Sequence, residues 1–478
     1  MNATYKPTIG LEIHAELKTR GKMFCACKND PDEKKPNLNI CPVCVAYPGT
    51  LPVINKEALK SVLKIGVAVN GMIADFTEFD RKNYFYPDIP KNYQISQYKF
   101  PLVSGGELSG VLITRVHLEE DTARSSHDKG EFSLIDYNRA GVPLMELVTE
   151  PVIHDAETAV KFAKEFQLLL RALKVGEANM EKGEMRVEAN ISVSKDSKKM
   201  GTKVEVKNLN SFRVVGKAIE YEIKRQIELL ESGEEVVQET RGFDETKQET
   251  FSQRKKESSH DYRYFPDPDL PKLYINEIPA FSIENLQKEM GELPSVKRER
   301  FINDYGIKKE DADMYVSDFL FGKLFDKVAD ILNDKEKIKI ASNYISSDLA
   351  GLVRVFGEYP RHIFEDIEPA SEAIAKLVNM IYNDKISSRA AKDILAVIFK
   401  TGGSPETIAD ELGLMQKSDK EELKKIVKSI IEQNNKAVLQ YKGGSENALQ
   451  FLVGQTMKET HGSANPKILQ TLIKEMLG

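Results

Sequence analysis

The residue types that could do chemistry concentrate between Arg115 and Pro151. Three consecutive acids, Glu119, Glu120 and Asp121, precede a polar turn, and then an apolar run, Val142 to Val148, is interrupted by one acid, Glu146. Side chains alternate across a strand, so Val142, Leu144, Glu146 and Val148 share one face and Pro143, Met145 and Leu147 the other. Both faces read as largely buried. An ionised carboxylate there is costly unless a cation, a metal or hydrogen bonds compensate it. A nearby arginine such as Arg139 is the plain structural partner, and a bound ion is the functional one. In Val111 to Asp121, strict alternation puts Glu119 on the face of Arg115 and His117, and Glu120 on that of Val116 and Leu118. Both acids reach one site only if the strand ends or bulges there. The turn formers of Thr122 to Gly130 favour an end.

Other strands carry the same pattern. From Ile9 to Thr19, apolar Ile9, Leu11, Ile13, Ala15 and Leu17 alternate with a face that presents Glu12, His14 and Glu16 in a row. Two acids and an imidazole at period two can hold a divalent cation, although a solvated face with a bystander histidine has the same pattern. Arg186 to Val193 repeats the alternation, with Glu188 and Asn190 outward, and Lys203, Glu205 and Lys207 do so against Val204 and Val206. One such strand is an ordinary half-solvated strand. Four that share acids, histidine, asparagine and lysine make a polar floor on one face of a mostly antiparallel sheet.

All four cysteines lie close together: Cys25, Cys27, Cys41 and Cys44. Two tight thiol pairs suit a tetrahedral, structural zinc with no open position for catalysis. Unliganded thiols and disulfides are the alternatives, and a reducing compartment disfavours the latter. Phe79 to Tyr98 interleaves Tyr84, Tyr86, Tyr93 and Tyr98 with Arg81, Lys82 and Lys91. Rings among cations stack bases and hold phosphates, or else pack a loop.

Elsewhere the chain supplies scaffold. Asn55 to Val69, Asp155 to Leu173 and Ser211 to Leu230 have helical apolar spacing, and Asp155 is an N-cap. Pro266, Pro268 and Pro271 argue for a rigid loop, and Leu293-Pro294 marks a boundary. Helical patterns then dominate, broken at Gly306, Asn333, Tyr359-Pro360 and Gly402 to Pro405. The expected fold is α+β: a mostly antiparallel sheet in residues 1–293, an all-α domain in 294–403 and a small helical tail in 404–478. With 478 residues, the chain is long enough for several cores. A net charge of −6 leaves any RNA contact to local patches, such as the tail, where ten lysines face seven acids from Gln416 onward. No apolar run is long enough for a membrane helix and no signal pattern opens the chain, so a cytoplasmic protein is expected. Phosphate-loop, dinucleotide, zincin and nucleophile-elbow motifs are absent from the sequence.

Longer motifs carry a resemblance. Ile135 to Leu147 (IDYNRAGVPLMEL) is similar to the signature of the GatB family, the B subunits of the aspartyl/glutamyl-tRNA amidotransferases. Ile9 to Thr19, Phe79 to Tyr98, Val204 to Phe212, Asp261 to Leu270 and the late FLVGQTMK resemble that family in the same order. The resemblance spans essentially the whole chain and implies a tail of the YqeY type. It also implies an ATP-dependent ligase that phosphorylates the side-chain carboxylate of Glu-tRNA(Gln) or Asp-tRNA(Asn). Ammonia channelled from a glutaminase (A) subunit then displaces the phosphate, and a small (C) subunit joins the assembly as a heterotrimer. On that basis His14, Glu120 and Glu146 are expected to hold Mg²⁺, assisted by Glu12 and Glu119. Glu188, Asn190, Glu205 and Lys207 would line the floor for ATP or ammonia, and Arg81, Lys82, Tyr84, Tyr86 and Tyr93 the substrate pocket. Lys424, Lys425, Lys428 and the Gly443-Gly444 turn would grip tRNA. The competing readings are a non-catalytic, zinc-stapled RNA-binding adaptor and a carboxylate-activating ligase acting on a free small molecule.

Overall fold

The structure is a computed structural model that describes residues 5–126, 130–196, 199–255, 262–416, 420–460 and 464–478. Asp261, in one of the motifs above, lies outside them. The chain divides into two compact units, Met1–Pro294 and Ser295–Gly478.

The first unit is built on a ten-stranded sheet. Its main strands are β1 (Lys6–Glu16), β4 (Val111–Glu120), β5 (Pro143–Thr149), β6 (Met185–Ser194), β7 (Val204–Leu209), β8 (Glu239–Asp244) and β9 (Glu249–Lys255). A separate three-stranded sheet contains β2 (Asp80–Asn83), β3 (Tyr93–Ser96) and β10 (Phe265–Pro266). The large sheet runs β9-β8-β7-β6-β1-β5-β4, and the short strands Val103–Ser104 and Met72–Ile73 extend it beyond β4. All its pairs are antiparallel except β7 with β8, which a helix connects. That exception is physical, since parallel neighbours need a crossover too long for a hairpin.

One sheet face is apolar and covered. Ile9, Leu11, Ile13, Met145, Leu147, Val116, Leu118, Val187 and Ile191 belong to a single buried cluster. Helices α1 (Lys56–Ala68), α2 (Ala156–Ala172) and α3 (Phe212–Ser232) contribute Leu59, Leu63, Phe162, Phe166, Val215 and Ile219 to it. The helix starts are capped as their sequences suggest. Asn55 accepts from the Glu57 and Ala58 amides, Asp155 from Thr158 and Ser211 from Val214. Gly233, at φ +80°, ends α3 in a left-handed turn. Covering one face with three helices leaves the other face to the polar members of the alternation.

The second unit is helical among its described residues and holds two separate apolar clusters, one from Phe301 to Ala409 and one from Leu423 to Leu477. Asn333 and Gly402 cap helices at positive φ, and Pro360 precedes the helix Arg361–Phe364. In the tail, helix Lys420–Gln433 buries Leu423, Val427 and Ile430 and exposes Lys424, Lys425 and Lys428. Gly443 caps the helix Asn435–Lys442, and Gly444, at φ +93°, turns the chain into Glu446–Glu459.

Candidate active site and metal centre

The register of five strands assembles the polar face. His14 on β1 lies opposite Glu146 on β5, which lies opposite His117 on β4. On the other side of β1, Glu12 pairs with Glu188 and, one strand further, Asn190 with Glu205. Directly opposed residues point to the same face, so acids that are distant in sequence become neighbours.

The centre is tight. His14 Nε2 lies 3.3 Å from Glu146 Oε2, 3.7 Å from Glu119 Oε1 and 3.8 Å from Glu12 Oε1. His117 Nε2 lies 3.6 Å from Glu146 Oε2 and 3.9 Å from Glu119 Oε2. Arg115 Nη2 lies 3.3 Å from Glu146 Oε1, and Ser96 Oγ donates to Glu119 Oε2 at 3.1 Å. His117, Glu119 and Glu146 are all buried.

Three groups of side chains bring their donor atoms within 4.8 Å of one another: Glu12–His14–Glu146, His117–Glu119–Glu146 and Glu12–Glu188–Glu205. Glu146 belongs to two of them, and so does Glu12. Burial and mutual repulsion shift the titration of these groups. Burial, then Glu146 and Glu188, push the Glu12 carboxyl up to about 7. Burial works against a charged His14, but the hydrogen bond to Glu146 and the charges of Glu146, Glu119 and Glu12 lift it to about 9. Burial alone would raise Glu146, yet His117, the His14 bond and Arg115 hold it well below the usual range. Burial keeps His117 below the usual imidazole range. The carboxylates around His14 therefore favour its protonated form. A divalent ion fits this oxygen-rich donor set with one imidazole. His117 Nδ1 and Asn190 Oδ1 are buried and have no hydrogen-bond partner among the described residues.

Glu120 does not join this group. Alternation turns it to the opposite face, and β4 ends at Glu120 with no bulge between Arg115 and Glu120 to bring it back. Its carboxylate accepts from Lys91 Nζ at 2.7 Å and from the Ile95 amide at 3.0 Å. Glu119 takes the place beside His14 and Glu146 that was expected of Glu120. The arginine facing Glu146 is also not Arg139. That side chain donates to the carbonyls of Thr122 and Ala123 and lies 3.6 Å from Asp121. Arg115 is the one that shares a face with His117 and Glu146.

Next to the acids, Lys207 Nζ lies 2.7 Å from Glu188 and 3.5 Å from Glu205, and Thr240 donates to Glu205 at 2.9 Å. Burial opposes the Lys207 charge, but Glu188 and Glu205 hold it well above the usual lysine range. From the small sheet, the Lys82 ammonium is likewise held up against burial by Glu119, Tyr264, Glu146 and Tyr262. Arg81 is committed elsewhere, to Asp267 and Asp269 at 2.7 Å each, with its guanidinium 4.2 Å from the Tyr93 ring centroid. Tyr84 and Tyr86 stack on each other and are exposed. Five residues at the site are not among those expected from the sequence: Arg115, His117, Ser96, Tyr262 and Tyr264. His117 was legible, because it shares alternation with Glu119. The tyrosines sat in a recognised motif without an assigned role.

The four cysteines converge as free thiols, their Sγ atoms within 4.8 Å of one another and Cys27 to Cys44 at 4.0 Å. A zinc tetrahedron with bonds of about 2.3 Å has edges of about 3.8 Å, so these positions fit one with small adjustments. Cys44 accepts from the Cys41 amide at 3.2 Å, and the fully buried Lys22 brings Nζ to 3.9 Å from its sulfur. The Cys25 hydrogen bond, together with Lys22, draws the Cys44 thiol down to about 5, whereas burial pushes Cys27 up to about 12. Lys22 also donates to the Tyr137 carbonyl at 3.1 Å. A cavity of about 210 Å³ runs between Cys25 and Cys44 on one side and Lys91, Tyr93 and Glu120 on the other.

Residues 7–279 match the family model described as the GatB/GatE catalytic domain, and residues 323–477 match that of the GatB domain. The chain is 43% identical to the B subunit of the aspartyl/glutamyl-tRNA(Asn/Gln) amidotransferase of Caldanaerobacter subterraneus subsp. tengcongensis, over 99% of both chains. It is equally similar to the protein of that name from Thermoanaerobacter pseudethanolicus. It is 41% identical to the one from Crocosphaera subtropica, over 99% of this chain and 98% of the other.

Proposed function

The chain belongs to the GatB family of tRNA-dependent amidotransferase subunits, and we propose that it converts Glu-tRNA(Gln) or Asp-tRNA(Asn) to Gln-tRNA(Gln) or Asn-tRNA(Asn). The observation that carries the reading is the convergence of Glu12, His14, Glu119 and Glu146 on one buried patch of the polar floor.

A carboxylate is a poor acyl donor, and a mixed anhydride with phosphate is a good one. The γ-phosphoryl group of ATP passes to the side-chain carboxylate of the esterified amino acid, and ammonia then displaces phosphate. Glu12, His14, Glu119 and Glu146 would hold Mg²⁺, which offsets charge on the phosphates during transfer. Lys82 is a fixed cation beside these acids and orients the substrate's negative groups toward them. Lys207, Glu188, Glu205 and Asn190 form an adjacent polar track, where an acid of the floor can take the proton of an arriving ammonium. Glu120, paired with Lys91, holds the far side of the floor against the cysteine loop. Cys25, Cys27, Cys41 and Cys44 would bind a structural zinc.

Ammonia comes from a glutaminase partner, and a small third partner completes the heterotrimer in the cytoplasm. No helix among the described residues is long and apolar enough to cross a membrane. The exposed face of Lys424, Lys425 and Lys428, with the Gly443-Gly444 turn, grips the tRNA by its shape and phosphates. Residues 1–293 are the catalytic domain, 294–403 a helical connector and 404–478 the RNA-gripping tail.

The test is reconstitution with the glutaminase and the small partner, supplying ATP, glutamine and each mischarged tRNA in turn. Amidated tRNA and ATP consumption that both require the charged tRNA are expected. ATP turnover without tRNA would make the protein a small-molecule ligase, and no turnover in any assembly would make it an RNA adaptor.

A further inference from the structure

Beside the acid cluster, five tyrosines from two distant segments form a continuous run of ring contacts. Tyr98 and Tyr264 stack almost parallel, with centroids 4.3 Å apart at 11°. Tyr264 meets Tyr262 at 6.0 Å, Tyr262 meets Tyr84 at 6.4 Å, and Tyr84 stacks on Tyr86 at 6.0 Å. Pairing of β10 with β2 brings the two segments together, since Phe265 lies opposite Arg81 and the Asn83 amide donates to the Tyr262 carbonyl.

This run is not a core. Tyr98 is 65% exposed, Tyr86 46% and Tyr84 37%. Its middle reaches the chemistry, because Lys82 Nζ lies 5.0 Å from the Tyr262 centroid and is held charged by Glu119 and Glu146. Exposed Lys99 follows Tyr98, and exposed Arg263 lies between Tyr262 and Tyr264. Exposed rings interleaved with cations are how proteins hold single-stranded nucleic acid, since every base has a π face and every nucleotide a phosphate.

We propose that the tyrosine run is the subsite for the unpaired 3′-terminal nucleotides of the charged RNA, with the terminal base stacking on Tyr98. The proposal rests on the function argued above and adds the place where the RNA end lies. The reacting carboxylate hangs from the terminal ribose, so the base on that ribose must sit close beside the acid cluster. The adenine of ATP needs one or two rings, whereas a run of five suits successive bases, with Lys99 and Arg263 at the phosphates.

Tyr98→Ala and Tyr264→Ala, in the reconstituted complex, should raise the KM for charged tRNA about five-fold or more and leave the KM for ATP within about two-fold. Tyr98→Phe, which keeps the ring, should restore the charged-tRNA KM relative to Tyr98→Ala. A rise confined to the ATP KM would assign the rings to the nucleotide and overturn the proposal. Unchanged KM values for both substrates would reduce the run to packing. A second measurement needs no turnover: fluorescence anisotropy of a short labelled RNA with a single-stranded CCA end, bound to the full chain. Tyr98→Ala should weaken that binding to a similar degree, and equal affinity would overturn the subsite. Should the wild-type complex turn over no charged tRNA, the functional reading falls, and the oligonucleotide still decides the subsite. Because Tyr98 is mostly exposed, its truncation should leave folding intact, and Tyr98→Leu provides a bulkier replacement without a π face.

Discussion

At the scale of single residues, the site is a contest between acids and whatever positive charge can reach them. Glu146 is buried at the crossing of two potential ligand groups and is approached by His14, His117 and Arg115. Glu146→Gln keeps the shape and removes the charge that gathers them. It should lower tRNA-dependent ATP hydrolysis at least about a hundred-fold while the glutaminase activity of the complex persists, since transfer of the phosphoryl group to the carboxylate depends on held charge. Wild-type phosphoryl transfer by that variant would remove Glu146 from the site. Glu120 has a different character. Its side chain is about as buried as the Glu146 side chain, but its partner is the largely buried Lys91. Glu120→Gln should leave Lys91 uncompensated and cost about 3 kcal/mol in chemical denaturation. A loss below about 0.5 kcal/mol would show the pair to be solvated.

At the scale of elements, the cysteine loop and the end of β4 share a boundary. A Cβ on Gly141 would lie 3.7 Å from Lys22, 3.8 Å from Cys44 and 3.9 Å from Glu120, so three charged or metal-type groups converge on one left-handed turn at φ +83°. A zinc held by four thiolates would carry excess negative charge, and the buried Lys22 lies beside Cys44. Lys22→Met should therefore speed zinc loss to a chromogenic chelator about ten-fold or more, the size of effect that outer-shell partners have on metal sites. Equal release rates would mean that the lysine serves only the Tyr137 carbonyl. Loading the protein with zinc and then chelating it should lower the unfolding temperature, because the bonds that would join the two thiol pairs are then lost.

At the scale of the whole molecule, the polar floor and the lysine-bearing tail rest on separate hydrophobic cores. Unit Met1–Pro294 contains the polar floor, and the tail's cluster begins at Leu423 within the second unit. Residues from Gln416 onward carry ten of the lysines in a chain whose net charge is −6. Deleting Gln416–Gly478 should raise the KM for charged tRNA by about ten-fold or more, and the KM for ATP much less, because phosphate contacts add affinity without taking part in chemistry. Equal changes in both would show that the tail supports the catalytic unit itself.

Periodicity is the part of this protein that can be read in one dimension. Two-residue alternation in Ile9–Thr19, Val142–Val148 and Arg186–Val193 tells which side chains share a face, helical apolar spacing locates α1, α2 and α3, and Asp155 marks the start of α2. The cysteine spacing likewise named its own cluster. Alternation also holds the answer for Glu119 over Glu120, because β4 keeps its register with β5 from Arg115 to Glu120. Which faces meet was settled in three dimensions. Strand register sets Glu146 between His14 and His117, replaces Arg139 by Arg115, and brings Tyr262 to Lys82. The physical reason is that alternation is a local property of one extended chain. The partner across a sheet is chosen by the packing of its other, apolar face against the helices, and no single strand contains that information.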